Sequence, residues 1–296
     1  MTAAVGRDRR AGSSHRPRYG THLFLIVVSI VWIFPIAWAF YTSLRPYAET
    51  AARGYVSFGG AYNLDNFGKA ADGMGLWLHL FNTLIVAVPA IALILWFASM
   101  IAFAVSRYSF KFNVAMLMLF TAGNLLPQQI VVTPLYRMYL LLPLPAPLSD
   151  NGMWYDQFFG IVMIHLAFQL GFCTFVLSNY FKQVPKELNE AAVVDGASVW
   201  RTYISVLLPL ARPALAALAT LEFTWIYNDF FWGILLFRTG DKLPITSALN
   251  NLSGQFFTDN NLLAAGSIMV ALPTLIVYFA LQKHFVAGLT LGSTKG

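Results

Sequence analysis

Six stretches of this chain are each apolar enough and long enough to cross a bilayer, and that feature limits the folds open to it more than any other. A hydrocarbon core about 30 Å thick takes roughly 20 apolar residues per helical crossing. With no water in that core, every backbone N–H and C=O must be paired within the segment, which leaves helices for runs of this length. The stretches lie at about 22–44, 79–105, 112–136, 157–181, 204–236 and 262–283. Hydrophobic residues make up 58% of the chain and charged ones only 11%, too little polar surface for a soluble globule. The expected fold class is all-α: a polytopic membrane protein with six transmembrane helices. The fifth stretch is long enough that its first turns, through Pro209 and Pro213, are expected at the interface.

Lysine and arginine placement orients such a bundle, because loops on the cytoplasmic side are enriched in them near the membrane. One side would carry Arg7, Arg9, Arg10, Arg16 and Arg18 before the first span, Arg107 and Lys111 between the second and third, and Lys182, Lys186, Arg201 and Arg212 between the fourth and fifth. Lys283 and Lys295 follow the last span on that same side. The opposite side holds Arg45, Arg53, Lys69, Arg137, Arg238 and Lys242, together with most of the acids. Both termini are therefore expected in the cytoplasm of a cell (inner) membrane protein. The net charge of +6 reads as topology rather than as a nucleic-acid signal, since no basic patch is interleaved with exposed aromatics.

The organisation expected is a basic cytoplasmic tail over 1–21 and one transmembrane domain over 22–296. The basic start, the apolar run from Leu23 to Ile36 and the Ala37-x-Ala39 triplet resemble a secretory signal, but the run continues through Phe40 and Tyr41 to Leu44, longer than such a signal needs. The external segment of about 45–78 is glycine-rich and reads as a loop with short helical pieces. The lone Cys173 falls in the fourth span and reads as a small packing residue.

Between the fourth and fifth spans lies a short polar element that lipid does not require. Pro185 suits the start of a helix, and Glu187 and Glu190 sit near its positive N-terminal end. Gly196 can take the left-handed conformation that ends it, and Ser198 can cap the next helix. Ala191, Ala192 and Gly196 have almost no side chain, so a partner backbone can approach, while Glu190 offers a carboxylate to an arginine. An ordinary interfacial helix is the plainer alternative.

These residues carry a resemblance. The element Glu190-Ala191-Ala192-x3-Gly196, continuing to Leu208-Pro209, resembles the EAA loop of ABC importer permeases, here at about 184–213, and looks like the carbohydrate (maltose-type) branch. Asn82 to Ala87, Leu126 to Tyr136 and the tail from Phe285 to Gly296 are similar to further characteristic segments, and Tyr227-Asn228-Asp229-Phe230 matches a Trp-Asn-Asp/Glu-Phe signature with Tyr in the first place. The chain most resembles the smaller six-span permease of the maltose-type pair, with the type I importer fold. The resemblance implies a machine of two related permeases, two cytoplasmic ATP-binding subunits and an external solute-binding protein, taking up a di- or oligosaccharide by alternating access. It implies that Glu190, Ala191, Ala192, Asp195 and Gly196 couple to the ATPase and that the tail over 284–296, through Lys295, contacts it. The chain itself has no Gly-x4-Gly-Lys-Ser/Thr phosphate loop, so ATP and magnesium belong to the partner, and no cofactor, metal or catalytic chemistry is expected here.

A translocation path is sought where polar groups sit deep in spans, since buried ionisable residues are costly unless they face a cavity or partner. Glu222 and Asp229 are the acids inside the spans; seven residues apart, they share a helical face with Trp225 and nearly with Asn228. That stripe could line a path, or Glu222 could pair with a neighbouring helix while Asn228 and Asp229 cap a helix break. Asn124, Gln128 and Gln129 around Pro127 form a second candidate, because proline frees backbone carbonyls. His165 and Gln169 face together, a pattern more often an interhelical hydrogen bond than a ligand site. A proton-coupled secondary transporter of a small polar solute is the alternative function; it should show internal repeats and no docking element.

Overall fold

The apolar stretches form helices. The computed structural model describes residues 19–290 apart from residues 126 and 255. Among the described residues, four uninterrupted helices are long and apolar enough to cross a membrane: α1 (Tyr19–Ser43), α4 (Leu76–Arg107), α7 (Phe158–Gln183) and α14 (Asn260–Thr290). Two bent pairs bring the number of candidate crossings to six. The first pair joins α5 (Asn113–Leu125) to α6 (Val132–Leu141) through a 3₁₀ turn, with a bend of 89°. The second runs from α9 (Val199–Thr202) through a π-helical turn (Tyr203–Leu207) and α10 (Leu208–Leu210) into α11 (Arg212–Tyr227), bending by 72°. The external segment after α1 contains two short helices, α2 (Tyr47–Arg53) and α3 (Asp65–Gly73). No strand occurs among the described residues, and the all-α membrane fold expected is the one found.

The principal seam is α4 against α7. On α4 the fully buried positions are Ala87, Ala90, Ile94, Ala98 and Ala102, a spacing of three and four that lays small side chains along one face. On α7 the matching buried positions are Cys173, Thr174, Leu177, Ser178 and Phe181. In lipid there is no water release to drive helices together, so close backbone approach and van der Waals contact replace it, and small residues supply that approach. α1 differs: it packs along α14 and turns Leu23, Phe24, Ile30, Trp32 and Ile36 outward, apolar surface suited to lipid or a partner helix.

The fifth stretch departs from its expected form. The sequence places it over 204–236, but the helix starts at Val199, bends near Ala211 and stops at Tyr227, and Phe231–Leu236 is a separate short helix, α12. Each change has a local cause. Pro209 and Pro213 carry no N–H and cannot complete the ladder to the preceding turn, which matches the π turn and bend beside them. At the far end, Asn228 Nδ2 donates to the Thr224 carbonyl at 2.8 Å, offering that carbonyl a side-chain partner where the helix ends.

Polar side chains hold the end of the bundle where α1, α3 and α14 meet. Asn66 Nδ2 donates to the carbonyls of Ser43 and Arg45, each at 2.8 Å. Asn261 Nδ2 donates to the same Arg45 carbonyl and to Thr50 Oγ1, also at 2.8 Å. Along the same side, Asn82 Nδ2 reaches the Asp241 carbonyl at 2.7 Å, and Thr83 Oγ1 accepts the Ile245 N–H at 2.8 Å. The start of α4 thereby secures the segment that leads into α13 (Ile245–Ala248).

Candidate functional site

Two places stand apart from packing. The first is the polar element between α7 and α9. Its helix, α8, spans Glu187–Val194 with Glu187 and Glu190 in the first turn, where carboxylates complement the helix dipole. The helix closes by hydrogen bonds of Gly196 N to the Val193 carbonyl and Ala197 N to the Ala192 carbonyl, at 3.0 and 2.9 Å. Gly196 takes φ +74°, which costs glycine little and strains other residues. Ser198 then caps α9, its Oγ accepting the Arg201 N–H at 3.3 Å.

This element is rooted in the bundle at both ends. Arg107 Nη2, at the end of α4, donates to the Val184 carbonyl at 3.0 Å. On the other side the Tyr203 hydroxyl and Ser99 Oγ are 2.7 Å apart and buried, while the Trp200 and Tyr203 rings lie 5.5 Å apart beside Trp96 and Phe103. What projects is a face with Glu190, Ala191, Val193, Val194, Asp195 and Gly196 exposed; Val194 is 86% exposed. Ala192 points inward at 8% exposure and serves packing. An exposed pair of valines flanked by acids is a surface suited to a protein partner.

The second place is a cavity of about 470 Å³ where α7 passes the break between α11 and α12. His165, Phe168, Gln169 and Phe172 enter it from one face of α7, and Trp225, Asp229 and Trp232 from the break; Gln128 completes the lining from the bend between α5 and α6. His165 Nε2 stands 3.7 Å from Asp229 Oδ2, beyond direct hydrogen-bond reach. Asp229 Oδ1 accepts the Trp232 N–H at 3.4 Å, at the start of α12.

Of the four residues expected along one face of the fifth span, the structure places Trp225 and Asp229 on this cavity and the other two elsewhere. Glu222 is fully buried against α7, where Cys173 Sγ donates to its Oε1 at 3.1 Å and its Oε2 has no partner among the described residues. Asn228 is exposed and occupied with the end of its own helix. Gln128 is on the cavity; Asn124 lies in α5. Lys295 lies outside the described residues, as do residues 1–18 of the basic tail. Trp232, which sequence alone assigns to an interfacial belt, is on the cavity, as are Phe168 and Phe172, which sequence reasoning does not single out. The signal for the α7 pair is nonetheless present: positions 165, 168, 169 and 172 follow the i, i+3, i+4, i+7 spacing of a single helical face.

Residues 11–290 match the family described as "Binding-protein-dependent transport system inner membrane component". The chain is similar to a probable ABC transporter permease protein of Pyrococcus horikoshii, with 33% identity over 88% of this chain and 92% of that protein. It is also similar to the maltodextrin transport system permease protein MdxG of Bacillus subtilis, with 31% identity over 93% of this chain and 95% of that protein. Among solved structures it resembles a chain of a bacterial ABC transporter involved in the import of the acidic polysaccharide alginate. The TM-score is 0.74 and the identity 22%, over 90% of this chain and 95% of that one.

Proposed function

This chain belongs to the family of binding-protein-dependent transport system inner membrane components, and on that premise we propose that it is a permease subunit of an ABC importer that brings a di- or oligosaccharide into the cytoplasm. The observation that carries the reading is the projecting α8–Gly196–α9 element on a chain with no phosphate loop of its own. A membrane bundle without an engine and with an exposed, rigidly rooted docking face takes its energy through that face. Carbohydrate is the substrate class that fits the maltodextrin relative and the aromatic and polar lining of the cavity.

In this reading the chain works beside a second, related permease, two cytoplasmic ATP-binding subunits that hold ATP and magnesium, and an external solute-binding protein. Both termini and α8 face the cytoplasm, and the tail around Lys295 reaches toward the ATPases. Glu190, Ala191, Asp195 and Gly196 form the contact, with Ala192 setting the helix against its base. Coupling requires that the ATPases bind one arrangement of the permease better than the other, since a ligand with equal affinity for both shifts nothing. The rooting of the element on α4 by Arg107 and Tyr203 gives that difference a route into the bundle.

Reconstitution of the full assembly in liposomes tests this. Sugar uptake should require internal ATP and should persist when the proton gradient is collapsed. Uptake that follows the gradient and ignores ATP would establish the secondary transporter instead, and labelling that placed residue 190 outside the cell would remove the docking role.

A further inference from the structure

The cavity between α7 and the α11–α12 break has the chemistry of a ligand site, and we propose that it is a subsite on this subunit for one uncharged glycosyl unit of the transported sugar. The proposal rests on the importer reading above and adds where, and by which charge class, the substrate is recognised. Its volume of about 470 Å³ falls within the range of ~300–1,000 Å³ typical of small-molecule sites.

Three features point to this ligand class. The first is aromatic surface in two tilted pairs: Trp225 lies 5.3 Å from Phe172 and Trp232 lies 5.7 Å from Phe168, both centroid to centroid. Sugar rings present C–H faces that pack on such planes, and a wholly apolar solute would not need what stands beside them. The second is polar capacity left open. The side chains of Gln128 and Gln169 make no hydrogen bond to any described residue, although both line the cavity. His165 Nε2 and Asp229 Oδ2, 3.7 Å apart, are spaced so that a third group can bond to both. A sugar hydroxyl both donates and accepts, and so can serve a carboxylate and a ring N–H together.

The third feature is charge. Among the described residues the lining contains one carboxylate, Asp229, and no lysine or arginine. A uronic acid unit would bring a second negative charge beside the first with no cation to offset it, and like charges brought together out of water discriminate strongly against the wrong partner. Asp229 also caps α12, so its structural and binding roles need separating; Asp229→Asn retains an acceptor oxygen for the cap and removes the charge.

The test uses the complete importer in liposomes at saturating binding protein, with labelled neutral malto-, cello- and chito-oligosaccharides and oligogalacturonates of the same lengths. Wild type should take up a neutral member and exclude the galacturonates. Gln169→Ala and Trp225→Ala should slow neutral uptake by about tenfold, the order of one hydrogen bond lost in the first and one aromatic contact in the second. Asp229→Asn should narrow the preference for neutral over acidic sugar. Unchanged rates in the first two variants overturn the subsite and leave the importer standing. A fall in rate with an unchanged neutral-to-acidic ratio in Asp229→Asn marks structural damage and overturns it as well, as does free entry of galacturonates in wild type. ATP-driven entry of no sugar in the set overturns the carbohydrate reading on which the subsite depends.

Discussion

Asp156 accepts both the backbone N–H and the hydroxyl of Thr239, at 3.0 and 2.6 Å, joining the segment before α7 to the one after α12. The Arg238 N–H adds a third bond at 2.8 Å, and Lys242 Nζ reaches the Asp156 carbonyl at 2.9 Å. Asp156 holds this position with φ 62°, a conformation that aspartate tolerates better than most residues.

Burial pushes the Asp156 carboxyl up, but the Thr239 and Arg238 donors and the Lys242 charge outweigh it and hold the group below its ordinary value. The clasp is therefore complete above the unfolded carboxylate value, about 4, and is lost as pH falls through the lower folded value. Melting temperature of the purified assembly should decline on acidification through this window, and Asp156→Ala should flatten that part of the profile. The clasp is partly open to solvent, so its contribution is about 1 kcal/mol.

At Gly196 the space that a side chain would enter is empty, yet φ is +74°. Conformation alone should then decide which residues work. Gly196→Val should cost about 1–2 kcal/mol locally and weaken retention of the ATP-binding subunits during purification, whereas Gly196→Asn, which accepts the left-handed region, should retain them. Equal loss in both variants would assign the role of Gly196 to steric approach instead.

Glu190 is exposed and projects with α8. Glu190→Ala should leave membrane insertion intact and lower ATP-driven uptake sharply, because the proposed contact loses its carboxylate. Wild-type uptake in the purified variant assembly would count against the docking role.

Glu222 and Cys173 are a buried pair whose carboxyl has one oxygen without a partner among the described residues. Cys173→Val removes the donor and should destabilise the assembly by about 1–3 kcal/mol, read as a fall in melting temperature. Glu222→Leu replaces the polar group altogether and should be nearly neutral for stability. Strong loss of transport in the stable Glu222→Leu protein would return the residue to the translocation path.

The crossings are legible in the sequence because bilayer thickness imposes a length that apolar runs display directly. The turn at Gly196 and the cap at Ser198 are legible because few residues suit those backbone positions. The division of the α11 face is not. Spacing turns Glu222, Trp225 and Asp229 toward one neighbour, and all three meet α7, at Cys173, Phe172 and His165, but spacing does not tell that the first is sealed in packing while the other two open on a cavity. Nothing in Phe230–Leu236 distinguishes a short separate helix from the end of a long one, since both are equally apolar. His165 and Gln169 are visible as a pair and Trp225 lies on the stripe that spacing shows, but Trp232, which joins them on the cavity, follows a break that periodicity cannot see.

Asn66 and Asn261 meet on one oxygen, the carbonyl of Arg45, and a carbonyl has two lone pairs to give. Either amide can therefore be lost without orphaning that oxygen, because the other still donates to it. Removing both leaves the acceptor unpaired in a dry place, so the double replacement by alanine should exceed the sum of the singles when melting temperatures are compared in a cycle. The joint is built with a spare, and it gives way only at the second cut.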